Sequence, residues 1–294
     1  MIETVPLAHS DVLQAAARIV PHCAPTPLLT SHSLDALSSA QLFFKAEHLQ
    51  RSGAFKFRGA CNAVWSLPDA LAARGVVTHS SGNHGAALAL AARTRGIGCH
   101  VVVPEGAVAA KLANISRNGA TLVHPYTDRA VIAGQGTATL ELLHQSGGLD
   151  VLVAPVGGGG LAAGAALALQ ASPDCELVLA EPAGAADTAR SLAAGQRLVD
   201  FVPDTICDGL RGTLGAPNFA LLQRAGAQVI TVDDAAVVQA MRLVWQLLKQ
   251  VVEPSSAIAL AAVLAQPARF AGRRVGLILS GGNVDLDALP WAAA

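Results

Sequence analysis

The sequence predicts an α/β fold built on open, doubly wound parallel sheets, on three observations. Short β-branched runs alternate along the chain with Ala/Leu-rich segments of helical period. The β-branched runs are apolar throughout instead of alternating with polar residues, as strands covered on both faces are. Glycine-bearing loops follow three of these runs directly, and open α/β sheets bind ligands at that end of their strands.

Taken in order, "GVVTHS" (75–80) reads as a strand and "HGAALALAARTRG" (84–96) as its crossover helix. "CHVVVP" (99–104) and "AVAAKLANISRNG" (107–119) repeat the pattern. "DVLVAPVGGGG" (150–160) with "LAAGAALALQAS" (161–172) and "ELVLAEP" (176–182) with "AADTARSLAAG" (185–195) follow. "AQVITVDD" (227–234) leads into the amphipathic "AAVVQAMRLVWQLLKQ" (235–250), and "RRVGLILSGG" (273–282) supplies a last strand. The irregular stretch 197–219 reads as a long loop with short helical turns.

At 294 residues and 52% hydrophobic content, the chain has core enough for two lobes. A net charge of −1 without long charge runs predicts no nucleic-acid footprint and no polybasic membrane patch, which leaves a small molecule as partner. Five scattered cysteines (Cys23, Cys61, Cys99, Cys175, Cys207) with no C-x-x-C suggest reduced thiols. The first twenty residues lack a basic-then-apolar order, so no signal peptide and a cytoplasmic location are expected. The uncharged run 151–170 holds Pro155 and four successive glycines, which argues against a membrane-spanning helix.

The loops "SSGNHG" (80–85), "VGGGG" (156–160) and "SGGN" (280–283) are candidates for one shared site. Four glycines between a strand and a helix let backbone N–H groups approach an anion unhindered, which makes a phosphate cradle; a tight turn without ligand is the plainer reading. Gly158-x-Gly160-x-x-Ala163 with Glu181 also meets a lax dinucleotide fingerprint, so an NAD-binding oxidoreductase stays open, as does a non-catalytic small-molecule sensor. Lys56 lies in "RSGAFKFRGACNA" (51–63), where a snorkelling surface lysine is the simpler local reading.

The motifs together carry a resemblance. "SGAFKFRGA" (52–60), "THSSGNHGAALA" (78–89), "VIAGQGTATLE" (131–141), "PVGGGGLAAG" (155–164), "VEPSSAIALAAV" (252–263) and "LSGGNVD" (279–285) resemble, in order, the fold-type II pyridoxal-phosphate enzymes. From about Thr26 to Asp285 the chain is similar to their serine racemase and threonine/serine dehydratase branch. The resemblance implies that Lys56 forms the Schiff base with pyridoxal phosphate, that Phe55 packs on the ring and that Asn83 bonds the ring hydroxyl. It implies Gly157, Gly158, Gly159 and Gly160 at the phosphate and Ser280 at the pyridine nitrogen. A neutral hydroxyl there, instead of a carboxylate, weakens the electron sink and favours β-elimination. Ser80, Ser81, Gly82 and His84 would line the substrate carboxylate, Gly209 in "CDGL" would face the ring and Glu253 would line the pocket. For His84 a plain loop histidine is the competing reading.

The resemblance also implies a divalent cation, Mg²⁺, Mn²⁺ or Ca²⁺, held by Glu181, the Ala185 carbonyl and Asp187; hard oxygen ligands suit such ions, although acids near a helix start often serve as caps. A homodimer is expected. Residues 1–74 and 123–294 would form the large domain and 75–122 a small inserted one. One departure is large: "RNGATLVHPYTDRAVIAGQGT" joins segments that relatives separate by about one βα unit, so the small domain is trimmed. The implied activity is dehydration and deamination of L-serine or L-threonine to a 2-oxo acid and ammonia. Alternatives are serine racemisation, with Ser81 as proton donor on the face opposite Lys56, or dehydration of a bulkier 3-hydroxy amino acid.

Overall fold

The computed structural model describes residues 6–80, 82–102 and 120–291. The chain lays down β1 (Leu28–Leu29) and β2 (Gln41–Lys45), then β3 (Val76–His79), β4 (Cys99–Val102) and β5 (Thr121–Leu122). After these come β6 (Val151–Pro155), β7 (Glu176–Pro182), β8 (Gln228–Val232) and β9 (Arg274–Ile278). The first two and last four make one sheet, ordered β1-β2-β9-β6-β7-β8; the middle three make another, β4-β3-β5. Every pairing is parallel except that of the two-residue edge strand β1 with β2. The apolar runs have the expected cause: β6 is buried at every position and β7 at all but Glu176.

Three helices bring the site together. Helix Arg129–Ser146 packs against helix Lys56–Ser66 on one side and helix Gly160–Ala168 on the other. Both contacts are backbone to backbone. A Cβ on Gly134 would lie 2.7 Å from the Gly59 Cα, and one on Gly136 would lie 2.5 Å from the Gly164 carbonyl. The small residues of "VIAGQGTATLE" therefore set how closely the lysine-bearing helix approaches the glycine loop.

A buried ionic cluster fixes the start of the lysine-bearing helix. Arg58, fully buried, donates from Nε to Glu47 (2.7 Å) and from Nη1 to Glu141 (2.7 Å). Lys45 Nζ adds a bond to Glu141 at 2.7 Å, and the Thr26 hydroxyl one to Glu47 at 2.6 Å. Two cations thus meet two carboxylates with their hydrogen-bonding capacity largely used, the condition for keeping such a group out of water.

Some elements differ from expectation. The stretch 197–219 carries a short turn at Asp208–Leu210, and helix Ala216–Arg224 begins within it, started by Pro217 in its first turn. The helix predicted over 235–250 is α-helical for Asp234–Leu243, widens to a π turn over Val244–Leu248 and ends at Lys249, with φ of 59°. The helix predicted at 107–119 lies outside the described residues. Among the described residues no helix is long and apolar enough to cross a membrane.

Candidate active site

Lys56 opens its helix where the chain is pinned to the end of β9. The Phe55 N–H donates to the Ser280 carbonyl (2.9 Å), and Ala54 bridges Gly281. The Lys56 ammonium is thereby carried into a cavity of about 840 Å³, where Nζ donates to the Pro125 carbonyl (3.2 Å) and lies 5.1 Å from the Phe55 ring centre. Burial lowers its pKa from 10.5 to about 8, with Glu253 opposing. A lysine so placed is readily deprotonated, as an amine that attacks a carbonyl must be. The surface reading of Lys56 is overturned.

Every described residue predicted for cofactor or substrate lines this cavity: Phe55, Lys56, Ser80, Gly82, Asn83, His84, Gly157 to Gly160, Gly209, Glu253 and Ser280. Ser81 lies outside the described residues. Asn83 Nδ2 donates to both Glu253 oxygens (3.0 and 3.2 Å), while its own oxygen accepts from Asn283 (2.8 Å). Burial raises the Glu253 carboxyl to about 7. The Gly209 N–H donates to the Ser255 hydroxyl (3.0 Å), and the buried Ser280 hydroxyl donates to the Ser255 carbonyl at a long 3.4 Å. His84 is pushed down to about 3, first by burial and then by Lys56, so it is neutral.

The glycine loop is held from behind and open in front. A Cβ on Gly158 would meet the Tyr126 ring at 2.5 Å, and one on Gly157 the Leu210 backbone at 2.7 Å; Gly159 has φ of +87°. The Gly158 carbonyl accepts from the Gly215 N–H (3.1 Å) and Asn218 Nδ2 (2.6 Å). The N–H groups of Gly157 to Gly160 have no acceptor among the described residues and stand at the start of helix Gly160–Ala168. Such free donors at a helix N-terminus fit a phosphate, and Lys56 across the cavity fits an aldehyde. The residues present therefore suit pyridoxal phosphate. Lys56 could hold it covalently, the glycine loop its phosphate, Phe55 and Asn83 its ring, and Ser280 the ring nitrogen.

Glu181, at the end of β7, accepts the Thr188 N–H on one oxygen (2.7 Å) and the Ala189 N–H on the other (2.9 Å). It caps helix Asp187–Ala194, and burial raises it to about 7. Glu181 is fully buried and does not line the cavity, so it is not presented to a ribose there, which removes the dinucleotide reading. Asp187, fully buried, accepts the Leu214 N–H on Oδ2 (2.8 Å), while its Oδ1 is buried without a partner. Among the described residues no group of three or more His, Cys, Asp or Glu is arranged for a metal. The expected ligand set is smaller, two carboxylates and the carbonyl of the buried Ala185.

The profile of the family described as pyridoxal-phosphate dependent enzymes matches residues 19–124 and 112–281. The chain belongs to this family. As a pyridoxal-phosphate dependent enzyme it is 46% identical to the β-hydroxyaspartate dehydratase of Paracoccus denitrificans, over 96% of this chain and 98% of that one. It is 44% identical to the serine racemase of Arabidopsis thaliana, over 95% and 94% of the two chains. The solved structure of maize serine racemase superposes with a TM-score of 0.92 at 41% identity, covering 96% of both chains. The alignment with the dehydratase runs over 309 positions, whereas 96% of 294 residues is about 282, so about 27 positions of the relative face no residue here. That is the size of one βα unit.

Among the cavity residues that the sequence reading of this pyridoxal-phosphate enzyme missed are His79, Pro125, Tyr126 and Arg211. Pro125 and Tyr126 belong to a strap between β5 and helix Arg129–Ser146, which Asn218 Nδ2 ties to the glycine loop through the Tyr126 carbonyl (2.8 Å). Pro-Tyr next to a shortened segment was the one available signal.

Proposed function

We propose that the chain is a dehydratase of 3-hydroxy α-amino acids, with L-serine and L-threonine as reference substrates, forming a 2-oxo acid and ammonia. The observation that carries the reaction class is Ser280. A neutral hydroxyl, not a carboxylate, stands two residues past the end of β9 in the cavity lining, and it favours elimination over longer-lived carbanion chemistry. Relatives named as a dehydratase and as ammonia-lyases support the same reading. Pyridoxal phosphate, when bound, supplies the electron sink that makes the Cα–H acidic. Lys56, with its lowered pKa, takes that proton. Ser80, Gly82 and His84 orient the substrate carboxylate, and the Asn83–Glu253 pair fixes the wall beside it. Serine racemisation is a side activity, with Ser81 as the second proton donor. A divalent cation at Glu181, Ala185 and Asp187 steadies the turn after β7; the unpartnered Asp187 Oδ1 supports it.

The test is the purified enzyme with L-serine and L-threonine. It should absorb near ~410–420 nm, as a lysine-bound cofactor does, and release 2-oxo acid and ammonia. A Lys56→Ala variant should lose both band and activity. Synthesis of a new amino acid from an activated serine, with no oxo acid from either substrate, would overturn the reading.

A further inference from the structure

Two of the five cysteines meet on the flank of the lysine-bearing helix. Cys61 lies within helix Lys56–Ser66 and is 2% exposed; Cys23 follows helix His9–Ile19 and packs, half-buried, against the same apolar cluster. Contacts on both sides hold Cys23 there. His22 stands edge-on to Trp65, one turn after Cys61, with ring centres 4.3 Å apart. Arg51 lies 4.9 Å from the ring centre of Phe57, one turn before Cys61, and donates to the His22 carbonyl (2.9 Å). Gln50 donates to the Ala24 carbonyl (2.7 Å). The segment is thus laid along the helix with Cys23 over Cys61, and the two thiols share a hydrogen bond.

Such a pair gives up its first proton more readily than either thiol alone. The hydrogen bond from Cys23, helped by the Arg51 charge, holds Cys61 below the usual thiol range against the effect of burial, while Cys23 is raised. Cys99, Cys175 and Cys207 are raised by burial and have no cysteine beside them. Of the pair, Cys23 is the sulfur that a reagent in solution reaches. The helix under it is the fixed partner, because Arg58 is locked by Glu47 and Glu141 and Gly59 is closed against Gly134. Residues 20–25 are mostly exposed, so they yield when two touching sulfurs close to a bond of about 2.05 Å.

We propose that Cys23 and Cys61 form a modification site that reacts with low-molecular-weight disulfides, such as oxidised glutathione, and closes to a reversible intramolecular disulfide. The Cys23 sulfur attacks one sulfur of the reagent; the reagent's S–S bond breaks, and the first glutathione leaves with the Cys23 proton. The Cys61 sulfur then attacks Cys23 in this mixed disulfide, and the second glutathione leaves with the Cys61 proton. Two protein thiols lose two electrons, and one reagent disulfide gains them as two thiols. The bond clips the segment that leads to Thr26, and so to the Arg58 cluster, onto the lysine-bearing helix. Since the helix stays in place, the cofactor end of the cavity is undisturbed, and the closed loop from 23 to 61 makes the fold harder to open.

The experiment treats the holoenzyme, as wild type, Cys23→Ser and Cys61→Ser, with excess oxidised glutathione. It reads intact mass, free thiols in denaturant, the melting temperature and the visible band of the bound cofactor. The wild type should fall from five free thiols to three, become lighter by two hydrogens, carry no glutathione and yield a peptide cross-linked between Cys23 and Cys61. Its melting temperature should rise by about 3 to 6 °C and return on addition of dithiothreitol, with the cofactor band unchanged throughout. Cys61→Ser should stop at the mixed disulfide, with one glutathione on Cys23 and no such rise. Cys23→Ser should leave Cys61 unmodified. Where the hydroxyl of Cys61→Ser prevents folding, Cys61→Ala carries the same test. Five free thiols after treatment, glutathione retained on Cys23 of the wild type, a bond between any other pair, or a 23–61 bond that leaves the melting temperature unchanged or removes the cofactor band overturns the proposal.

Discussion

Replacing Lys56 by methionine should make the cofactor-free protein more stable while abolishing its chemistry. Methionine keeps most of the apolar stem and removes the ammonium that burial disfavours. The fall in pKa from 10.5 to about 8, at about 1.4 kcal/mol per pKa unit, corresponds to about 3 kcal/mol. Partial exposure of the side chain and loss of the bond to the Pro125 carbonyl reduce the net gain to about 2 kcal/mol. The sign follows from linkage. Below pH 8 the lysine is charged both folded and unfolded, so the wild type carries the full deficit. Between pH 8 and 10.5 the unfolded chain still binds the proton and the folded one does not, so wild-type stability rises relative to the variant. Urea unfolding of cofactor-free wild type and Lys56→Met at pH 7 and at pH 10 reads this directly. The variant should lead by about 2 kcal/mol at pH 7, and the gap should largely close by pH 10. Equal stability at pH 7, or a gap independent of pH, would refute the claim that Lys56 is held in a site that disfavours its charge.

Three further outcomes are expected. Gly158→Ala places a methyl 2.5 Å from the Tyr126 ring; the loop must shift, and cofactor affinity, titrated by absorbance, should drop at least tenfold, with Tyr126→Ala restoring part of it. Chelator treatment should lower the melting temperature and Ca²⁺, Mg²⁺ or Mn²⁺ should restore it; no change on chelation would mean that Glu181 is only a helix cap. Ser81→Ala should abolish D-serine formation from L-serine while sparing much of the elimination, and equal loss of both would make Ser81 a binding residue.

The parts of this fold legible in the sequence are those whose cause is local or periodic. Apolar strands such as "VLVAP" announce burial on both faces, and the strand-loop-helix order around Gly157 to Gly160 announces an anion site. β1 and β2 escaped notice because the two-residue β1 has no periodicity to read and "QLFFK" ends in a lysine that is charged by composition and buried by context. Lys45 belongs inside only because Glu141, nearly a hundred residues later, bonds it. The Arg58 cluster is invisible for the same reason.

The strap 123–128 is the instructive failure. Its residues look like a plain connection, and the glycines of "VGGGG" look as though the cofactor alone required them. In the folded chain Gly158 and Gly160 are also needed by Tyr126, whose ring and backbone occupy the space a side chain would fill. The same strap supplies the carbonyl that holds Lys56, the backbone N–H groups that set the His124 tautomer and the carbonyl that binds Asn218. This short segment lines the site and touches both the reactive lysine and the phosphate cradle. The strap also lines the cavity beside His79 and Ser80, so its length bears on the room left for substrate. On this basis activity toward L-serine should persist while the choice among larger 3-hydroxy acids shifts. A chimera that restores about 27 residues of a relative at this junction should alter substrate preference and leave cofactor affinity within a few fold; lost cofactor binding would show instead that the strap and the cradle fold as one unit.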